Sequence, residues 1–449
     1  MLQGFGLILI CTLFGCTEKD SNTSDTLVER RVADPEAGAR SHRIDQKRMV
    51  VDVGFDPTQK QVRGTVTHYF RPLRSTVDSF YLDGPGISYQ EVRLNGKSVT
   101  HEVTDDGIWI HPETPRPWKQ TDTLQIRYEA TPRHGLYFVG WDDSTGRAPR
   151  QIWTQGQGPG HRHWVPLYDN PNDKLITETI VTFDEEYRVL SNGKRVGVEA
   201  NENGTKTWHY RMSAPHPGYT MMIGIGRYDV QRSTSAGGVK IQNYYYPDQA
   251  ERVVPTYRYT AEMIDIMEQE TGMEYPWSRY SQIPVHNFLH GGMENTTATI
   301  FSDEYYVDKR AYRDQNYVTV NAHEIAHQWF GDLLTMGRRE EIWLHESFAT
   351  HYAKIVERHL FGESHYQWNR KQERDRVLSS LDRGPLPIRH TRTGSGRAYY
   401  KGSLVLDMLK DVVGKSEFDR VIQTYLQENA HDTVISPDFF SAFDEVLGR

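Results

Sequence analysis

The sequence predicts a multidomain α+β protein, an N-terminal antiparallel β domain followed by a mostly helical domain. Three observations carry this. The chain has 449 residues, long for one domain. Its first half is written in short apolar runs of period two separated by turn residues, and its second half in longer runs of helical period. Hydrophobic residues make up 37% and aromatic residues 12%, enough for sizeable cores rather than a disordered chain.

The opening MLQGFGLILICTLFGC reads as an export signal, its apolar core from Phe5 to Phe14 being too short for a permanent span. Leu13-Phe14-Gly15-Cys16 resembles a bacterial lipobox, which makes residues 1–16 a signal peptide of lipoprotein type and Cys16 the lipidated residue. Ordinary secretion with cleavage near Gly15 is the alternative. Residues 17–40 are polar and charged, as expected of a flexible tether. Cys11 and Cys16 are the only cysteines, so the body of the protein has no disulfide framework, and any metal site there is built from His, Asp and Glu. The net charge is −8 with both signs interspersed, which gives no reason to expect nucleic acid as a partner. Contact with a membrane is expected only through a lipid on Cys16, at the cell envelope of a bacterium.

From residue 41 to 232 the pattern is that of a β domain. Arg48–Val53 is β-branched, and Val62, Gly64, Val66, His68 and Phe70 form one alternating face. Gly107–Ile110 and Leu124–Tyr128 repeat the theme, and Asn95-Gly96 between apolar runs marks a hairpin. The second domain, 233–449, opens with a strand over Val239–Tyr246. Helices are expected over 249–272, 310–335, 340–361, 363–382, 400–413, 415–429 and 437–447. The last has Ser436 as N-cap and Pro437 at the first helical position.

The chemistry concentrates in His323-Glu324-Ile325-Ala326-His327. Residues four apart stack on one helix face, so both imidazoles can reach one ion, while Glu324 can polarise water and carry its proton. A helix with Val318, Ala322, Ile325, Ala326 and Trp329 is too apolar for a solvated face, and buried histidines without a partner are costly. A catalytic zinc needs a third protein ligand. Glu346, in Trp343-Leu344-His345-Glu346 with eighteen residues between it and His327, suits a return helix packed against the first. His345 and His351 are weaker alternatives. His161 and His163 lack framing carboxylates at ligand spacing and read as surface or packing residues.

These motifs resemble the gluzincin aminopeptidases of the aminopeptidase N and leukotriene hydrolase type, whose His-Glu-X-X-His helix runs on into Trp-Phe-Gly, here Trp329-Phe330-Gly331. The resemblance extends from about residue 44 to the C-terminus. It implies a thermolysin-like catalytic domain, one Zn2+ per chain on His323, His327 and Glu346, and peptide substrates with a free N-terminus. Gly291-Gly292-Met293-Glu294-Asn295 is similar to the family's Gly-(Ala/Gly)-Met-Glu-Asn segment. There Glu294 is expected to bind the α-amine, and the Gly291, Gly292 and Met293 backbone to line the substrate. Tyr399-Tyr400-Lys401-Gly402 is similar to Tyr-X-Lys-Gly, which gives Tyr399 the role of oxyanion donor and Glu324 that of general base. Thr154-Gln155-Gly156-Gln157 matches a Thr-Gln-X-(Glu/Gln) segment whose last residue, Gln157, helps hold the amine. One loop departs from the family: Arg339 stands where an aromatic residue is common, beside Gly337 and Arg338. Family members usually continue beyond the point at which this sequence stops.

Overall fold

The computed structural model describes residues 37–118, 120–381, 386–392 and 394–448. The export signal, Cys16 and the tether as far as residue 36 lie outside the described residues. The last tether residues are held in place: Gly38 N donates to Glu340 Oε2 at 3.1 Å, and Arg40 makes a two-pronged pair with Asp83 at 2.6 and 2.9 Å.

The N-terminal half is built on a nine-stranded sheet. Its order is Lys194–Ala200, Thr205–Arg211, Lys174–Asp184, Ile44–Asp56, Gln61–Pro72, Asp122–Ala130, Ser88–Leu94 and Lys97–Ser98, with His216–Pro217 beside Lys174–Asp184. Pairing is antiparallel except between Ile44–Asp56 and Lys174–Asp184, which run parallel. The alternating face is as expected: Val62, Val66, His68 and Phe70 are buried. Asn95 and Gly96 both take positive φ, 50° and 78°, as a two-residue hairpin turn between Ser88–Leu94 and Lys97–Ser98 requires. This half also holds a four-stranded sheet containing Gln151–Thr154 and Ile223–Gly226, a three-stranded sheet of Phe80–Asp83, Gly107–His111 and Thr100–Thr104, and a short pair of Thr76–Val77 with Arg116–Pro117.

A five-stranded sheet then carries the chain into the helical half, in the order Asp229–Thr234, Lys240–Tyr245, Tyr280–Val285, Ala298–Ser302 and Gly292–Met293. Gly292–Met293 is its edge, antiparallel to Ala298–Ser302. The helices are α1 (Thr260–Thr271), α2 (Val318–His327), α3 (Trp343–Phe361), α4 (Glu363–Leu381), α5 (Gly402–Val413), α6 (Lys415–Glu428) and α7 (Ser436–Leu447).

Two helices are shorter than the sequence pattern suggests. The 249–272 run is broken into a 3-10 stretch, a single turn at Val253–Thr256 and α1. Pro255 lacks the N–H that a continuous helix needs. The 310–335 run reduces to α2, because the Asp308 carboxylate captures the Arg310 and Ala311 N–H groups in a tight turn and the chain reverses after His327. At α7 the Ser436 hydroxyl is turned to Glu341 instead of capping, and Asp438 Oδ2 accepts from Ile435 N at 2.7 Å.

The two halves are tied together beside the edge strand. Asn192 Nδ2 donates to Thr296 O and Gly193 N to Thr297 Oγ1, both at 2.7 Å. Thr297 sits at φ 66°, uncommon for a β-branched residue, and is held there by these bonds and by its N–H on Gln328 Oε1 at 3.0 Å. Lys174 Nζ crosses to the carbonyls of Asp332 and Leu333 at 2.9 and 2.6 Å.

Candidate active site

The apolar face of α2, with Ala322, Ile325 and Ala326 fully buried, fixes the helix against α3 and turns His323, Glu324 and His327 towards the first turn of α3, which carries Glu346. The donor atoms converge. His323 Nε2 and His327 Nε2 are 3.0 Å apart, and Glu346 Oε2 lies 3.3 and 3.4 Å from them. Ligand atoms about 2.0–2.1 Å from a tetrahedral zinc stand roughly 3.3–3.4 Å from one another, so this triangle has the size the ion requires. His327 Nδ1 faces Phe330 O at 2.9 Å, an arrangement that puts the proton on Nδ1 and leaves Nε2 its lone pair. Gly331, at φ 143°, makes the turn that brings the Phe330 carbonyl there, and a Cβ on it would stand 3.2 Å from His327 Nδ1.

Glu294, Glu324 and His327 form a second cluster, with one ligand atom from each lying within 4.8 Å of the others. Three buried carboxylates therefore meet with only two imidazoles to balance them. Burial pushes the Glu324 carboxyl well up, with Glu294 and Glu346 adding repulsion against the relief given by His327. Burial likewise raises Glu294, while its bond from Tyr219 opposes the rise. Burial would lower His327, but Glu294, Glu346 and Glu324 outweigh it and raise the ring to about 10. Glu346 goes the other way: its burial is overcome by hydrogen bonds to His323 and His327. A divalent cation at the meeting point supplies the positive charge that this donor set lacks, and His327 then has no need of a second proton.

Around the triad, Glu324 Oε2 is buried without a hydrogen-bond partner. The edge strand lies directly over this side chain, so that a Cβ at Gly292 would come within 2.4 Å of Oε1. Tyr399 enters from a π-helical stretch, Ser395–Lys401, that leads into α5, and its ring stacks on His323 at 5.7 Å. Burial, reinforced by Glu346, raises its phenol, so the hydroxyl keeps its proton.

Glu294 is anchored by Tyr219, whose hydroxyl donates to Oε1 at 2.9 Å. Gln328 Nε2 holds the Glu294 carbonyl at 3.2 Å, tying the edge-strand segment to the end of α2. The sequence offered no sign of Tyr219 or Gln328 in these parts, because neither sits at a spacing that points to Glu294. Gly291, Gly292, Glu294 and Gln157 line one 540 Å³ cavity with His323, Glu324, His327, Glu346 and Tyr399. Gln157 is exposed and makes no hydrogen bond to Glu294. The Met293 side chain is buried in an aromatic core and contributes only backbone. His345 is no rival ligand, since its Nε2 accepts from Met336 N at 2.6 Å; His351 pairs with Asp407 at 3.0 Å. His161 packs as expected, between Tyr219 O at 3.1 Å and Trp164 Nε1 at 3.0 Å.

Fold and site together have the arrangement of the gluzincin type. The model of the peptidase M1 N-terminal domain matches residues 44–220, and that of the peptidase family M1 domain matches 256–449. The chain belongs to peptidase family M1, with the aminopeptidase N-type relatives, and His323, His327 and Glu346 form a group that could hold a metal ion. Human glutamyl aminopeptidase is 26% identical over 398 residues, covering 75% of this chain and 41% of that protein. Probable aminopeptidase 1 of Sulfurisphaera tokodaii is 24% identical over 400 residues, covering 84% and 48%. The chain thus spans about half or less of the length of these curated relatives. A crystal structure of a mutant M1 zinc metallopeptidase from Deinococcus radiodurans shares the fold, with a TM-score of 0.76 at 22% identity over 91% of this chain and 92% of that one.

Proposed function

We propose that the protein is a zinc aminopeptidase that removes single residues from peptide N-termini. The observation that carries this reading is Glu294, a buried carboxylate held by Tyr219 beside the cluster of His323, His327 and Glu346. A carboxylate at that place pairs with a free α-amine and rejects a blocked or internal one, because either would leave it buried and unpaired. Relatives named glutamyl and leucyl aminopeptidases support the same class of reaction.

His323, His327 and Glu346 would hold the zinc, which when bound supplies Lewis acidity and lowers the pKa of water toward neutrality. Glu324, with one oxygen unpartnered, takes the proton of the attacking water and hands it to the leaving amine. Tyr399 keeps its hydroxyl proton and donates to the oxyanion that develops on the substrate carbonyl. The backbone of Gly291–Met293 runs along the substrate as an edge strand, and Gln157 borders the amine site.

The test is a pair of fluorogenic substrates, one with a free N-terminus and one acetylated, each with and without chelator. Cleavage of the free form alone, lost on chelation and restored by zinc, is expected. Equal cleavage of both refutes the amine anchor. The first sixteen residues support export and lipid attachment at Cys16. Cys16→Ser should move the chain from the membrane to the soluble fraction; unchanged partition counts against the anchor.

A further inference from the structure

Two cavities meet at the triad, and the chemistry of the reaction distinguishes them. The first holds Glu324, Gly292 and Thr319 and runs on between α3 and α4. Glu324 must reach the leaving amine, so the rest of the peptide departs on that side. The second, of 990 Å³, is bordered by Gln157, Tyr219, Glu346 and Tyr399 but not by Glu324. It borders Tyr219, which holds the amine anchor, and the oxyanion donor Tyr399, and on the aminopeptidase reading it receives the side chain of the N-terminal residue.

The far wall of this second cavity is the loop that departs from the family pattern, with Met336 and Arg338 among its lining. The loop is rigidly placed, since Met336 N donates to His345 Nε2 at 2.6 Å, one residue from Glu346. Of the three other arginines of the lining, Arg339 is engaged in interactions of its own and the other two are already neutralised. Arg40 is paired with Asp83, and Arg162 with Asp169 at 3.4 Å and Asp83 at 3.5 Å. Glu340 and Glu341, the acidic residues nearest to Arg338 in sequence, are taken by Arg389 at 2.9 and 2.6 Å. Arg338 is half-buried on extended backbone, and among the described residues its guanidinium has no carboxylate partner. A half-buried guanidinium left unpaired in a substrate cavity is a receptor for a carboxylate.

From this we infer that Arg338 selects substrates whose N-terminal residue is acidic, glutamate or aspartate, by pairing with its side chain; the inference rests on the aminopeptidase reading above. Glutamine has the same shape without the charge, so the comparison of Glu with Gln isolates the pairing. The expected ratio of kcat/KM for Glu over Gln substrates is roughly 10- to 100-fold, the range of one charge-assisted hydrogen-bonded pair.

The experiment compares free-amine Glu, Asp, Gln, Leu and Lys fluorogenic substrates on the zinc-loaded protein and on Arg338 variants. In Arg338→Gln the Glu:Gln ratio should fall to near one. Arg338→Glu should reverse the order in favour of Lys. Arg338→Lys, which keeps the charge without the planar fork, should retain a reduced preference for Glu, and it serves if the other variants fold poorly. Calorimetric binding of Glu-Ala-Ala and Gln-Ala-Ala to zinc-loaded Glu324→Gln protein reads the same preference without turnover. A wild-type ratio near one, or a ratio that Arg338→Gln leaves in place, overturns the inference while leaving an aminopeptidase of other preference. Cleavage of acetylated substrates would instead strike the aminopeptidase reading, and calorimetry then decides the role of Arg338 alone, equal affinities overturning it.

Discussion

Replacing Tyr219 by Phe is the sharpest probe of the amine anchor, because it removes one oxygen and little else. The ring is 7% exposed and lies nearly parallel to that of His345, with centroids 6.5 Å apart, so its packing survives the change. What is lost is the donor 2.9 Å from Glu294 Oε1, together with the longer 3.4 Å contact of the hydroxyl with His345 Nδ1. A hydrogen bond to a charged group contributes about 1.5–3 kcal/mol. The substrate ammonium offsets part of that loss in the complex, which puts the effect near the lower end. At about 1.4 kcal/mol per decade, kcat/KM for a free-amine substrate should fall roughly tenfold. Because the amine is held in both ground and transition states, most of the change should appear in KM. The pH profile gives a second readout. Burial already raises Glu294, and the Tyr219 bond opposes that rise. On the proposed reading Glu294 works as the anion, so losing the donor raises it further and should move the acid limb of kcat/KM to higher pH. Steady-state kinetics over about pH 5 to 8 measure both quantities. A variant within about twofold of wild type, with the same acid limb, would refute Tyr219 as the support of the anchor.

Three further outcomes follow from the same geometry. Glu324→Gln should lower kcat by roughly 10²- to 10⁴-fold with zinc content unchanged by metal analysis; loss of zinc would mean that Glu324 is a ligand. Gly331→Ala forces a side chain onto φ 143° and within 3.2 Å of His327 Nδ1. It should weaken zinc binding by about 10- to 100-fold in chelator competition, and an unchanged affinity would argue against the Phe330 carbonyl as the orienting group. Asp173 is buried and raised from 3.8 to about 7, chiefly by desolvation, against hydrogen bonds from Gln46. Its folded form binds more protons than the unfolded chain between those values, so its contribution is complete below about pH 4 and is lost as pH rises through about 7. Asp173→Asn should therefore stabilise the fold at about pH 8, by at most about 4 kcal/mol, with no gain near pH 4 in denaturant titrations. A gain that does not vary with pH would show a packing effect instead.

What the sequence made legible is what repeats locally or is spaced along one element. The pair His323 and His327 follows from helix geometry, and Glu346 from the first turn of the return helix. Val62, Val66, His68 and Phe70 followed from period two, and the Asn95-Gly96 hairpin from residues that tolerate positive φ. The misses share a cause as well. The pattern over 310–335 overruns both ends of α2, because an Asp308 turn and a glycine reversal at Gly331 are local events without periodicity. Tyr219 was invisible because it reaches Glu294 across 75 residues, from a 3-10 turn that advertises nothing. Gln157 lines the same cavity as Glu294, but the hydrogen bond that the Glu294 carboxylate receives from the β half comes from Tyr219 instead.

That last substitution bears on why the β half is needed at all. α2 and α3 by themselves provide a metal triad and a base, which suffice for a hydrolase that cuts without regard to chain ends. Counting from the N-terminus requires a buried anion of fixed position, and Glu294 is fixed from two sides. Gln328, at the end of α2, holds its backbone; Tyr219, from the β half, holds its carboxylate. Asn192 and Gly193 clamp the neighbouring Thr296 and Thr297, with Thr297 kept in a left-handed conformation that a β-branched residue rarely adopts. The bonds from the β half that position the proposed amine anchor therefore lie at the junction of the two halves. Disturbing the junction should cost N-terminal selectivity before it costs the metal site, because none of these bonds touches His323, His327 or Glu346.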